Sequence, residues 1–193
     1  MIIPGLPPYD ALDSQWNMGY CYRHQYVDIK YRIAEQFKPM RICEIGVYSG
    51  IAACCFLAAS PTAEYIGIDN CRDEQGQDIV IVEHTRELLT GLGYRSEIII
   101  ADSQQMTELP GQFDFIHIDG DHSRAGACHD MLMAWRAVTP TGHILIDNGH
   151  DMGVCAGIFD AMYQLTRGLL RWNYFEDSVG NILIYRELLE VRE

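Results

Sequence analysis

The sequence predicts a doubly wound α/β fold, a mostly parallel seven-stranded sheet with helices on both faces and an antiparallel hairpin at the C-terminal end. Three observations predict it. Short β-branched apolar runs alternate with amphipathic or alanine-rich segments, the pattern of strand–helix units. Five of those runs finish at an acid followed by turn residues: Glu44, Asp69, Asp102, Asp119 and Asp147. The last two runs, 172–175 and 181–185, flank a Gly-containing turn with no helix between them, so they read as an antiparallel pair at a sheet edge.

The elements follow in chain order. Residues 1–26, rich in Pro, Tyr and small polar residues, read as an arm or lid before a single domain over 27–193. Trp16, Tyr20, Tyr22 and Tyr26 can either face a flat substrate or anchor the arm to the core. Ile29, Ile33 and Phe37, four apart, predict a helix over 27–37, stopped by Pro39. The run 41–45 is the first strand, 46–50 a glycine-broken turn, and 51–59 an apolar helix. A second strand over 64–68 leads through a polar loop, 70–77, to a helix over 78–92 closed by Gly91 and Gly93. Strands follow at 97–101 and 113–118, then a helix over 123–138 and a turn at Pro140 and Gly142. A fifth strand over 143–146 precedes a long helix marked by Val154, Ile158, Ala161, Met162 and Leu165.

Composition narrows the function. The chain has 193 residues, enough for one well-cored domain, and is 48% hydrophobic and 21% charged. No apolar run approaches the roughly 18 residues of a membrane span, and the first residues lack a basic, then apolar, leader. The net charge of −13 argues against nucleic acid as partner, because phosphate binding needs a basic stripe. A small molecule is the expected substrate. Seven cysteines without a Cys-x-x-Cys pair read as reduced thiols, not a zinc site, which fits the cytoplasm.

Acids at the carboxyl ends of parallel strands meet at one crevice, where open α/β sheets bind ligands. Carboxylates held close repel, so their convergence calls for a cation or a hydroxyl-rich ligand. Asp69, at the end of the second strand, can accept both hydroxyls of a ribose or cap a loop. The turn offers only Gly46-Val-Tyr-Ser-Gly50, short of the three glycines that admit a pyrophosphate, so an adenosine ligand without phosphates suits it better.

Four stretches carry a resemblance: Glu44-Ile-Gly46-Val-Tyr-Ser-Gly50, Tyr65-Ile-Gly-Ile-Asp69, Phe113-Asp-Phe-Ile-His-Ile-Asp119-Gly-Asp-His122 and Gly142-His-Ile-Leu-Ile-Asp147. In this order they resemble class I S-adenosylmethionine-dependent methyltransferases, in the small-molecule O-methyltransferase branch similar to metal-dependent catechol-type enzymes. The resemblance covers about 41–185 and implies a Rossmann-like methyltransferase fold. It implies that Glu44 and Gly46 face the methionine end of the cofactor, with Tyr48, Ser49 and Gly50 forming the turn against it. It implies that Asp69 binds the ribose, Asp102 and Ser103 border the adenine, and Asp119 lies below the sulfonium. In metal-dependent relatives Asp119, Asp147 and Asn148 would hold Mg²⁺, a hard cation suited to oxygen ligands, and His122 falls where those enzymes place a lysine base.

The expected activity is therefore O-methylation of a small hydroxyl acceptor with Mg²⁺ assistance, Asp119 and His122 being catalytic. A metal-independent methyltransferase, a non-catalytic cofactor-binding module and a hydroxylase-like relative stay open, as does a homodimer. His150 is the alternative base. His117, inside a strand, reads as a core histidine, and His129 and His143 have no constellation behind them. The Pro-Gly-Gly usual before the fifth strand is Pro140-Thr-Gly142 here, in a loop without a chemical role.

Overall fold

In the computed structural model, residues 24–72, 81–176 and 179–188 are described. The expected arm aromatics Trp16, Tyr20 and Tyr22, Cys21 and most of the 70–77 loop lie outside them. The elements are α1 (His24–Phe37), β1 (Arg41–Ile45), α2 (Ile51–Ala59), β2 (Glu64–Asp69), α3 (Ile81–Gly91), β3 (Arg95–Ile100), β4 (Phe113–Ile118), α4 (Arg124–Ala137), β5 (Val138–Ile146), α5 (Met152–Thr166), β6 (Leu170–Phe175) and β7 (Asn181–Leu188). One sheet runs in the order β3-β2-β1-β4-β5-β7-β6. The five strands β1 to β5 pair in parallel, and β7 inserts antiparallel between β5 and β6. The order reverses direction beside β1, between β2 and β4, which opens a crevice at the carboxyl ends of β1 and β4.

The strand register divides the core. Ile42, Tyr65, Phe115, Leu145 and Leu183 share one face and pack with Ala53, Phe56 and Leu57 of α2 and Ile33 and Ala34 of α1. Cys43, Ile45, Ile66, Ile116, Ile144 and Ile182 share the other and pack with Met131 and Trp135 of α4 and Ile158 of α5. Side chains alternate along strands. Glu44 pairs with Gly67 and His117, and His117 with Leu145. Hence Glu44, Asp69, His117, Asp119 and Asp147 all leave the sheet on the α1–α2 face. Ladder bonds run one step past the strands, from Gly46 N to Ile68 O, Asp119 N to Ile45 O, Asp147 N to Ile118 O and Ala101 N to Asp69 O. The acids at the strand ends are thus fixed in height against one another.

Three local readings change. The buried stripe of α1 is Tyr26, Val27, Lys30, Ile33 and Ala34, with Ile29 and Phe37 only at its flanks. The expected stripe left out the lysine in its middle. Helix α1 also begins at His24, inside the segment read as the arm. And α4 ends at Ala137, so β5 starts at Val138, five residues before His143. Pro140 is tolerated there because β7 pairs with β5 only from His143 onward, leaving that side of the strand without a ladder.

Cys43, Cys54 and Cys55 are buried and free, and burial pushes their thiols up, away from reactivity. Among the described residues no helix is long and apolar enough to cross a membrane.

Gly46 sits where the chain leaving β1 passes the end of the neighbouring parallel strand β4. Its φ is +83°, and a Cβ there would lie 1.9 Å from the Asp119 carbonyl oxygen. Gly93 has a similar φ of +78° but open space around it. Gly46→Ala is therefore expected to lose well over the ~1–2 kcal/mol that left-handed backbone alone costs, and Gly93→Ala about that amount. Urea unfolding of the two variants measures the difference.

Candidate functional site

The turn after β1 is held by an acid from β2. Asp69 Oδ2 accepts from the N–H groups of Val47 and Tyr48, both at 2.9 Å, and its Oδ1 accepts from Cys71 N at 2.7 Å. That bends Tyr48 into left-handed backbone, φ +46°, with its ring half exposed. Gly50, φ +72°, then opens α2 with no side-chain cap. Asp69 caps the loop: three backbone donors engage a carboxylate with about four acceptor positions, which leaves one where two ribose hydroxyls were expected.

Against this turn lies a small open cleft lined by Tyr26, Glu44, Gly46, Val47, Tyr48, Ser49, Ile51, Ala52 and Asp119. Expected site residues Glu44, Gly46, Tyr48, Ser49 and Asp119 come together there. Asp69 stands directly behind the turn. Asp102 and Ser103 follow β3, whose Ala101 N bonds the Asp69 carbonyl. Asp102 Oδ1 accepts from Gln104 N and caps a short 3₁₀ turn, Ser103–Gln105.

Glu44 is less exposed than its place on a crevice rim implied. It is buried, accepts from the Tyr65 hydroxyl, and meets His117 Nδ1 at 2.9 Å. Burial, with Glu44 beside it, pushes the Tyr65 phenol well up, so it stays a donor. His117 is wholly buried, as a core histidine would be, but its Nε2 has no hydrogen-bond partner.

Donor atoms of His117, Asp119 and Asp147 lie within 4.8 Å of one another. Burial raises the Asp147 carboxyl, Lys30 opposes this and the Asp119 charge adds to it; the net direction is up. Burial works on Asp119 in the same sense, but His122, His117 and Lys30 outweigh it and the net direction is down. The two shifts are opposite: Asp119 is held below the usual carboxylate range and Asp147 above it.

The cation nearest Asp147 belongs to the protein. Lys30, fully buried, places Nζ 3.2 Å from Asp147 Oδ1, donates to Asn181 Oδ1 at 3.3 Å, and lies 3.5 Å from the centre of the Tyr26 ring. The expected Mg²⁺ ligands Asp119, Asp147 and Asn148 do not fit that ion as they stand. One Asp147 oxygen faces an ammonium, and Asp147 is only 2% exposed. Asn148 is half-buried in left-handed backbone, φ +56°, and its carbonyl accepts from Asp151 N.

His122 Nε2 is 3.6 Å from Asp119 Oδ1, and both side chains are partly exposed. The Asp119 contact raises the His122 pKa, burial opposes it, and the charges of Asp119, Asp151 and Asp147 add to the rise. His150 points elsewhere: its N–H bonds Val179 O and its ring packs by Tyr174 of β6. His129 Nε2 lies 3.1 Å from the carbonyls of Ser103 and Met106, steadying the turn after β3. His143 stacks on Phe37 at the sheet's far end.

Sequence reasoning missed Lys30, Tyr65 and Asp130. The last is a buried acid on α4 that accepts from Gln104 Nε2 at 3.0 Å and leaves Oδ2 without a partner, next to Gly120.

The methyltransferase domain family matches residues 43–149, more than half of the chain, and the protein belongs to that family. Its fold is that of the class I S-adenosylmethionine-dependent methyltransferases. The cofactor-bound Rv0187 structure from MTB aligns with a TM-score of 0.70 at 18% identity, over 96% of this chain and 93% of that one. A methyltransferase from Geobacter sulfurreducens aligns at 0.67 and 21%, over 96% and 92%. The O-methyltransferase from Bacillus cereus in complex with SAH aligns at 0.67 and 16%, over 92% and 88%. No curated protein matches the sequence.

Two outcomes follow from the electrostatics. Since its pKa is raised, the His122 ring stays protonated to higher pH than a free imidazole, and Asp119→Asn should move its titration down; NMR of the ring Cε1–H against pH measures this. Burial, against the Ser103 and Gln104 hydrogen bonds, pushes Asp130 to about 6 from its ordinary 3.8. A carboxyl raised on folding stabilises fully below its unfolded pKa, and that contribution is lost as pH rises through 6. Asp130→Asn should therefore match the parent near pH 4 and exceed it at pH 8 by on the order of 3 kcal/mol at most, read by urea unfolding at both pH values.

Proposed function

We propose that the protein transfers a methyl group from S-adenosylmethionine to a hydroxyl of a small molecule. The observation that carries this reading is the juxtaposition of the Gly46–Gly50 turn, its cleft, and the Asp119–His122 pair at the ends of β1 and β4. S-adenosylmethionine, when bound, supplies a methyl made electrophilic by a cationic sulphur.

The residues divide the remaining work. Glu44, Gly46, Tyr48, Ser49 and Gly50 take the methionine end, and the cleft lining of Glu44 and Asp119 gives it a negative wall. Asp69 keeps the turn in shape and has one acceptor position left for a ribose hydroxyl. Asp102 and Ser103 take the adenine side. His122 accepts the proton from the acceptor hydroxyl as the oxygen–carbon bond forms and the carbon–sulphur bond breaks. Asp119 then faces the imidazolium and stabilises it. Alignment of the oxygen with the methyl accounts for much of the rate.

A second reading keeps a divalent ion on Asp119, Asp147 and Asn148. The closeness of the His117, Asp119 and Asp147 donors favours it; the ammonium on Asp147 weighs against it.

S-adenosylhomocysteine is expected to bind at micromolar level by calorimetry. Asp69→Ala should weaken it at least about tenfold, near 1.4 kcal/mol, and also lower stability, since three backbone N–H groups lose their acceptor. A folded parent protein that takes up no S-adenosylhomocysteine at high concentration would end this reading.

A further inference from the structure

Lys30 sits where nothing in a helix pattern requires a lysine. Its neighbours on the buried stripe of α1 are Tyr26, Val27, Ile33 and Ala34, and it is as buried as they are. Its ammonium donates to the Asn181 amide oxygen, lies over the face of Tyr26, and forms an ion pair with Asp147 Oδ1 at 3.2 Å, an oxygen that accepts no hydrogen bond. Asp147 and Asn181 come from adjacent strands and, by register, from the same sheet face as Glu44, His117 and Asp119. Tyr26 reaches from the ammonium to the lining of the cleft. The ammonium therefore lies just beneath the cleft, on the carboxylate that metal-dependent relatives would give to a divalent ion.

We infer that Lys30 is the resident cation of the Asp119–Asp147 pair, a positioning residue that takes the place of a divalent metal. A buried carboxylate such as Asp147, set beside the partly exposed Asp119, needs one compensating charge close by. Lys30 supplies it from inside the protein, with one end of the ion pair fixed on α1 and the other on β5. A divalent ion set among His117, Asp119 and Asp147 would meet that ammonium across a few ångströms of low-dielectric interior, so the two cations exclude one another. Lys30 acts through Asp147 and leaves Asp119 free to face the cleft and His122. The inference rests on the methyl-transfer reading for its purpose, but not for its test.

The test titrates Mn²⁺ into the full-length protein and follows the free ion by electron paramagnetic resonance. The parent protein should leave the free signal unchanged across the micromolar range. Lys30→Met should bind one Mn²⁺ per chain at least tenfold more tightly, and Lys30→Met/Asp147→Asn should lose that binding. A folded Lys30→Met that takes up no Mn²⁺ overturns the inference. Should Lys30→Met fail to fold by circular dichroism, the parent and Asp147→Asn decide: no Mn²⁺ uptake by the parent upholds it, and uptake abolished by Asp147→Asn overturns it. S-adenosylhomocysteine calorimetry on the same samples separates the two readings, because cofactor binding can persist whichever way the metal titration falls.

Discussion

The constraint on which this structure depends is electrostatic: acids from three neighbouring strands leave the sheet on the same face. Glu44, Asp119 and Asp147 share that face because β1, β4 and β5 are parallel and in fixed register. Left bare, three carboxylates under two helices would not stay ionised. Each has a different answer. Glu44 is held by the Tyr65 hydroxyl and His117. Asp147 is held by Lys30. Asp119 is the partly exposed one, on the cleft beside the buried Glu44 and with His122 across from it. Breaking a buried pair costs more than forming it gains, so α1 is tied to β5 and β7 by a contact that cannot be given up cheaply. The helix that roofs the site is in this way fastened by the charge the site requires.

The parallel sheet was legible because its signal is local and repeated. Each strand is a run of Ile, Val, Phe or Tyr that stops at a polar residue, and each crossover helix has a length that only a parallel connection explains. The cleft was legible for a similar reason: Gly46, Asp69 and Asp119 stand at strand ends, and strand ends of a doubly wound sheet meet. The start of β5 was not legible. Pro140 reads as a turn residue, and only the absence of a ladder partner from β7 makes it acceptable in a strand.

Lys30 and Tyr65 were missed for a different reason. A stripe of apolar residues is found by looking for apolar residues, and a lysine on the same stripe is discarded as a solvent-facing break. The positions 26, 27, 30, 33 and 34 nevertheless follow the spacing of a buried helix face. Lys30 is invisible until Asp147 and Asn181, more than a hundred residues later, are placed beneath it. The same holds for Tyr65, which looks like an ordinary strand residue until Glu44 on the next strand is seen to need a donor. Partners of buried charge are long-range facts, and pattern rules are local ones.

This arrangement also suits the chemistry of methyl transfer. A sulfonium loses its positive charge as the methyl leaves, while the acceptor loses a proton to a base. A site that held all its acids bare would stabilise the charged reactant and gain nothing in the transition state. Here most of the negative charge is already spent inside the protein, on Lys30, Tyr65 and His117. What remains partly exposed is the Asp119 carboxylate, placed between the cleft and His122; on the proposed reading, positive charge lost by sulphur would be replaced there by charge gained on the imidazole. On that reading charge would shift along one short axis past a fixed anion. Little of the surrounding structure has to move to follow it, and this preorganisation is what an electrostatic site contributes to catalysis.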